Sequence, residues 1–291
     1  MNYKQDTNRI VLTNFNNFHI GDILECGQCF RFEKIGDMHY ALVAFGRALH
    51  VKQKDASVEF FYEGRALDIT EFEILWMSYF DLYRDYYEII TKISKEDNVM
   101  QTAVAFAPGI RILQQDPWEM LVSFIISANN RIPQIKQVVK NIAQHYGPQI
   151  DEQNYAFPAP EELLRATSEE LRGLKTGFRD KYIIDAARKV AAGALDINRD
   201  TTLSTEDLRK SLLNVHGVGE KVAHCILLFG YGRFDTFPVD TWVRKVMQQY
   251  YFDGDAASAA QIHSLAQERF GELSGFAQQY LFHYIRKKST Q

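Results

Sequence analysis

The chain has 291 residues, of which 46% are hydrophobic and 24% charged, with a net charge of −4. This is ordinary globular composition, with length enough for two domains or for one domain carrying an elaborated second lobe. No apolar run approaches the roughly 18 to 20 residues that cross a bilayer, and the opening MNYKQDTNRIVLTNF lacks a basic segment followed by an apolar stretch. The expectation is a soluble, unprocessed, cytoplasmic protein with no membrane partner. Three cysteines, Cys26, Cys29 and Cys225, are an odd set without framework spacing and disfavour a disulfide-built secreted protein. Cys26 and Cys29 form a C-x-x-C that reads as half a zinc site, a redox pair, or simply two structural cysteines. No second pair supplies further ligands, so no metal is expected.

From about Arg9 to Tyr62, short alternating runs rich in aromatic and β-branched residues (CFRFEKI, HYALVAF, ALHVKQ, VEFFYE) are separated by turn signals at Ile35-Gly36-Asp37 and Lys54-Asp55-Ala56. They predict an antiparallel sheet. After Thr70 the texture becomes helical, beginning with Phe72, Leu75, Trp76 and Tyr79 at helical spacing. Residues 51–100 carry six Lys or Arg against eleven Asp or Glu, a net −5. The remainder holds two locally basic stretches: Asn129 to Ile150 with Arg131, Lys136 and Lys140, and Arg172 to Lys189. Each is a solvated helix face or a polyanion-binding surface. Asp116-Pro117-Trp118-Glu119 predicts a capped helix start before MLVSFIISA. Thr205-Glu206-Asp207 opens a helix ending near Val215, and a further helix runs from Gly219 to Gly230. The expected fold is α+β, with a sheet domain over 1–105 and a helical body over 106–291 that contains a helix-hairpin-helix at about 205–230.

The turn between the last two helices reads Val215-His216-Gly217-Val218-Gly219-Glu220-Lys221. Two glycines bracketing one apolar residue let backbone N–H groups approach a phosphate, and the next helix start adds partial positive charge. Such a clamp positions a protein on DNA without reading sequence. Lys221 lies in the first turn of that helix, where the dipole disfavours an ammonium, so its placement calls for a function. Nineteen residues on, Phe237-Pro238-Val239-Asp240-Thr241-Trp242 places Asp240 as the N-cap of another helix. An amine and a carboxylate projecting from two helix starts into one cleft can attack a sugar C1′ and stabilise the oxocarbenium charge.

HGVGEKVAHCI followed by FPVDTW resembles the helix-hairpin-helix and Pro-Val-Asp signature of the DNA glycosylase superfamily. The lysine makes the chain similar to the 8-oxoguanine DNA glycosylases, as do LECGQCFRF, GIRILQQDPWEMLVSFIISANNRIPQI, LKTGFRDKYI and SGFAQQYLFHY. The resemblance implies a TATA-binding-protein-like antiparallel sheet packed on a helical body. It implies a bifunctional base excision repair enzyme acting on duplex DNA that contains oxidised guanine, by base flipping, with Lys221 as nucleophile and Asp240 as its partner. In that family Phe282 and Cys225 enclose the flipped base, Gln278 reads its Watson–Crick edge, and the Gly27 carbonyl accepts from the N7–H that only the oxidised base carries. The family also implies that Asn129 and Arg179 hold the opposite cytosine, that Phe178 wedges the vacated stack, and that His216, Gly217, Val218, Gly219 and residue 242 meet phosphates.

Two positions depart from the eukaryotic pattern: Gln134 stands where a second arginine meets the cytosine, and Trp242 where a histidine meets phosphate. The first predicts a weaker preference for cytosine opposite the lesion. No cofactor is expected beyond a monovalent cation at the hairpin, and a monomer suits an enzyme that scans DNA. Three cysteines are too few for the four-cysteine iron–sulfur relatives. A same-fold glycosylase for another damaged purine and a non-catalytic DNA-binding module remain open as alternatives.

Overall fold

The computed structural model describes residues 2–289. Its sheet is built from β1 (Asn2–Asp6), β2 (Arg9–Thr13), β3 (Phe32–Gly36), β4 (His39–Ala44), β5 (Arg47–Lys54) and β6 (Ser57–Phe61), all paired antiparallel in the order β1-β2-β6-β5-β4-β3. The alternation that predicted the strands is the alternation that packs them. Tyr40, Leu42 and Ala44 of β4 point inward, as do Val58 and Phe60 of β6. Phe45 and Gly46 join β4 to β5 with φ of 50° and 68°, the pair of positive values a two-residue type I′ hairpin turn needs. β1 was not foreseen, because NYKQD has no apolar alternation; it is held by its ladder to β2 and by Tyr3 Oη donating to Glu73.

Between β2 and β3 the chain inserts the helix Ile20–Glu25 and a loop through Gly27, so β2 pairs with β6 instead. The helical run after Thr70 is a π-helical turn at Phe72–Trp76 continued by Met77–Tyr79 rather than one long helix. This turn drives Phe72 and Trp76 under the sheet, where the Phe72 and Phe80 rings lie 5.1 and 5.4 Å from that of Phe60. Asp85 then caps a new helix, Tyr86–Ser94.

The hydrophobic residues divide into two cores. One lies beneath the sheet and draws on residues from Ile10 to Leu82 together with Leu113. The other fills the helical body, and Tyr86, Ile89, Ile93, Met100 and Ala103 belong to it. The helices Tyr86–Ser94 and Asn98–Phe106, grouped with the sheet in the 1–105 expectation, thus contribute their apolar faces to the body. At the centre of the body lies Pro117–Ser127, opened by Asp116 accepting from Glu119 N–H at 2.8 Å. Its Phe124 stacks on Phe229 of the second hairpin helix at 5.6 Å, which ties the hairpin to the core. The buried pair Arg31 and Glu119, 3.4 Å apart, joins sheet to body; burial lifts the Glu119 carboxyl to about 7 against the pull of the arginine.

Candidate active site

Lys221 is the second residue of the helix Glu220–Phe229, whose N-cap is Gly219. A glycine cap offers no side chain to the first N–H groups of the helix, so they remain directed at whatever approaches the turn. The Lys221 stem runs inward, with Nζ 5.4 Å from the Phe124 ring centroid. Asp240 caps the helix Thr241–Tyr251, accepting from Val243 N–H at 2.8 Å. Burial pushes the Asp240 carboxyl above the usual range, while backbone N–H groups and the Lys221 charge pull it down. Two helix starts therefore meet at one cleft, and its walls include Gly27, Lys221, Cys225, Asp240, Gln278 and Phe282.

Two features prepare this cleft for a flat polar ligand. Gln278 is buried, and its Oε1 has no hydrogen-bond partner among the described residues. A buried amide oxygen left unpaired costs about 1 to 3 kcal/mol, a cost that a ligand donor would remove. Gly27 adopts φ of 82°, and a Cβ there would lie 3.1 Å from Phe282 and 3.0 Å from Arg286. Its backbone thus approaches the aromatic wall more closely than any side chain would allow. Burial raises the Cys225 thiol, so it faces the cleft as a neutral sulfur. Cys26 and Cys29 are likewise buried and free, and burial pushes Cys26 up to about 11. Among the described residues no group of three His, Cys, Asp or Glu could hold a metal ion, and no helix is long and apolar enough to cross a membrane.

The residues expected at the opposite base gather at a second place. Arg179 donates to the Ala128 carbonyl at 2.5 Å and to that of Asn129 at 3.3 Å. It is buried, with its remaining contacts on Thr176 and the Phe178 ring. Phe178 is 58% exposed, with its ring 6.0 Å from that of Tyr182. Asn129, at φ of 52°, and Gln134, in the first turn of Ile132–Tyr146, both face solvent.

At the hairpin, Val218 is buried while His216, Gly217 and Gly219 are exposed. Gly217 has φ of 83°, and a Cβ there would lie 2.4 Å from Tyr182 Cδ2. Asp185 braces the turn by accepting from His216 N–H at 2.9 Å and from Lys189 at 2.6 Å. Trp242 is partly buried, with Lys245 above its ring.

Sequence reasoning missed the residues that hold these groups. Gln279 donates to the Cys26 carbonyl at 2.9 Å, and Gln115 donates to the Gln28 carbonyl at 2.8 Å. Gln28 itself donates to the Ile23 and Arg111 carbonyls and accepts from Leu113 N–H, each at 2.8 Å. Arg286 donates to the Glu25 carbonyl while lying over Phe282. Three amides and an arginine therefore fix the loop that carries Gly27. His224 and His263 converge on the Phe237 carbonyl, at 3.4 and 2.9 Å, just before Pro238-Val239-Asp240.

Comparison with known proteins agrees with this geometry. Residues 10–121 match the family model for the 8-oxoguanine DNA glycosylase N-terminal domain, and residues 122–272 match that for HhH-GPD superfamily base excision DNA repair proteins. A probable N-glycosylase/DNA lyase of Methanothermobacter thermautotrophicus is 30% identical over 72% of this chain and 73% of its own length. The N-glycosylase/DNA lyase of Saccharomyces cerevisiae is 40% identical over 49% of this chain and 42% of its own length. The structure of Clostridium acetobutylicum 8-oxoguanine glycosylase/lyase, bound to double-stranded DNA with cytosine opposite 8-oxoG, superimposes with a TM-score of 0.93 at 38% identity, covering 99% of both chains. Two family models in sequence, a relative matched over most of both lengths and a fold shared end to end place this chain in the 8-oxoguanine DNA glycosylase family of the HhH-GPD superfamily.

Proposed function

We propose that the protein is a bifunctional DNA glycosylase and AP lyase that removes 8-oxoguanine from duplex DNA. The observation that carries this reading is the cleft itself: an amine and a carboxylate on two helix starts, beside a buried amide oxygen without a partner. The damaged nucleotide flips into the cleft, at an unstacking cost of a few kcal/mol, roughly. Phe282 and Cys225 face the two sides of the base, Gln278 Oε1 accepts from its Watson–Crick edge, and the Gly27 carbonyl accepts from N7–H. Unmodified guanine has a lone pair at N7, so the same carbonyl repels it.

The unprotonated Lys221 amine attacks C1′, and the C1′–N9 bond breaks with its electron pair leaving on the base, which takes up a proton. The Asp240 carboxylate stabilises the oxocarbenium charge that develops at C1′ and then orients the amine. Ring opening of the aminal gives an imine between Lys221 and C1′. Loss of a C2′ proton then expels the 3′ phosphate by β-elimination, which cuts the strand, and water releases the lysine.

Asn129, Arg179 and Gln134 serve the base opposite the lesion, and Phe178 fills the gap the flipped base leaves. His216, Gly217, Val218, Gly219 and Trp242 meet phosphates. A monovalent cation at the hairpin fits in one respect: the Val215 carbonyl accepts one hydrogen bond, from Val218 N–H at 3.1 Å, and keeps a second lone pair. Such an ion would add positive charge to the turn that faces a phosphate. In this reading the sheet domain of 1–105 supports the catalytic body of 106–291, to which its helices Tyr86–Ser94 and Asn98–Phe106 lend their apolar faces, and the protein works as a monomer in the cytoplasm, nucleoid-associated in a bacterium.

Borohydride trapping on duplexes with 8-oxoguanine opposite each of the four bases tests the proposal, with Lys221→Gln as control. The expected result is a covalent adduct that needs both the lesion and Lys221. Duplex binding without adduct or base release would leave a glycosylase for another damaged purine or a DNA-binding module, and base release without trapping would remove the lyase step.

A further inference from the structure

Trp242 stands two residues past Asp240 and brings no charge to the place where a DNA backbone would pass. A cation comes from one turn further along the same helix: Lys245 Nζ lies 5.8 Å from the Trp242 ring and donates to Ser289 Oγ at 3.3 Å. Ser289 follows the helix Ser274–Lys288, whose last turn carries Arg286, Lys287 and Lys288. Lys288 Nζ donates to Tyr250 Oη at 3.3 Å and Tyr284 Oη at 3.2 Å, with its ammonium 6.0 and 5.4 Å from their rings. These hydroxyls hold the Lys288 ammonium above its ordinary pKa. Arg286 connects the cluster to the cleft, because its guanidinium lies 5.1 Å from Phe282.

Cations in the last turn of a helix are favoured by its dipole, which by itself accounts for Lys287 and Lys288. The dipole does not account for Lys245, which comes from another helix to the same patch, nor for the aromatic seats beneath both lysines. Among the described residues Lys245 and Lys288 contact hydroxyls and rings, and neither forms an ion pair with a carboxylate, so both ammonium groups can meet an outside anion. Several cations of the two basic stretches are instead paired with carboxylates of the protein itself. Lys140 pairs with Glu33 at 2.8 Å, Arg172 with Asp180 at 2.9 Å and Lys189 with Asp185 at 2.6 Å.

We infer that Lys245 and Lys288, seated on Trp242, Tyr250 and Tyr284, form a phosphate-binding patch for the DNA strand that enters the cleft, with Lys245 supplying the charge that residue 242 lacks. The inference rests on the duplex-DNA reading above. Each lysine that neutralises one phosphate releases counterions and contributes about 0.9 to the slope of log K against log salt. Neither lysine acts on the reacting atoms.

The test uses the full chain with Lys221→Gln, which prevents turnover, and an 8-oxoguanine:cytosine duplex titrated at several salt concentrations. Lys245→Ala and Lys288→Ala should each lower the slope by about 0.9, the double variant by about twice that, and Lys→Arg at either site should restore it. Lys92→Ala, which removes an exposed lysine paired with Glu88 at 2.6 Å, should leave the slope unchanged. An unaltered slope in the double variant, with melting temperature preserved, overturns the patch while leaving the glycosylase reading intact. A parent protein with no salt-dependent duplex binding sinks both, and an equal loss in Lys92→Ala would reduce the effect to overall charge.

Discussion

Gln279 Nε2 donates to the Cys26 carbonyl at 2.9 Å, so the neighbour of the pocket glutamine holds the loop that presents Gly27. Both partners are buried, and truncation leaves that carbonyl unpaired at a cost of about 1 to 3 kcal/mol. Gln279→Ala should therefore misplace the Gly27 carbonyl, while Lys221 and Asp240, which sit on other elements, stay in place. The expected outcome is about a tenfold loss in discrimination between 8-oxoguanine and guanine, equivalent to about 1.4 kcal/mol. Binding of catalytically blocked protein to the two duplexes checks it. Unchanged discrimination would mean that Gln28 and Arg286 suffice to hold the loop.

The two hairpin glycines differ in what an added methyl would meet. At Gly217 a Cβ would lie 2.4 Å from the Tyr182 ring on backbone of positive φ, so Gly217→Ala should lower the melting temperature and weaken DNA binding together. At Gly219 a Cβ would meet no protein atom within 4 Å, and φ is −99°. Gly219→Ala should fold normally and lose affinity only where the methyl crowds a phosphate. Thermal melts beside duplex titrations separate the two, and loss of stability in Gly219→Ala would count against the clamp.

Asp240 must be ionised to stabilise positive charge at C1′, yet burial raises its pKa. Single-turnover excision should therefore decline on acidification at a pH above the ordinary aspartate value of about 3.9. The stability effect has the opposite direction. A carboxyl whose folded pKa is raised favours folding while protonated, and that contribution is lost as pH rises from the unfolded value through the folded one. Asp240→Asn can keep the cap to Val243 without the charge. It should melt no lower than the parent at neutral pH while losing about 10² to 10³ in rate. A rate within a few fold of the parent would remove Asp240 from the chemistry.

His224 and His263 both reach the Phe237 carbonyl, with rings 4.6 Å apart, and burial lowers the pKa of each. Two neutral imidazoles can each direct an N–H at that oxygen and set the angle at which Pro238-Val239-Asp240 enters the cleft. His263→Phe should slow excision about tenfold with KM little changed, whereas His263→Gln, which keeps a donor, should recover most of the rate. Equal rates for the two variants would leave His263 as packing.

Much of this architecture was legible because the signals are local. Alternating runs marked four of the six strands, Asp116-Pro117 marked the central helix, and the paired glycines with Pro238-Val239-Asp240 marked two helix starts. β1 escaped because its residues are polar and its partner ladder is what makes it a strand. The supports of the site escaped for a different reason: Gln279 and Cys26 are 253 residues apart, and nothing near either amide shows where its donor will go. The basic stretches misled in part, since pairing with Glu33, Asp180 and Asp185 depends on tertiary neighbours.

The opposite-base region offers the sharpest comparison with related enzymes. Arg179 is buried and already spends its donors on the Ala128, Asn129 and Thr176 carbonyls. In the proposed reading Arg179 would therefore serve the opposite base in part by holding the Asn129 turn in shape. Gln134 faces solvent from the first turn of its helix and brings a neutral amide, whose oxygen and nitrogen can exchange places to suit a donor or an acceptor. Excision of 8-oxoguanine should consequently vary only modestly among the four opposite bases. Gln134→Arg should steepen the preference for cytosine by about tenfold, within the roughly 1 to 3 kcal/mol typical of one directed contact. Single-turnover rates on the four duplexes, for parent and variant side by side, decide this. A parent already as selective as the arginine variant would move the discrimination to Asn129 and its turn.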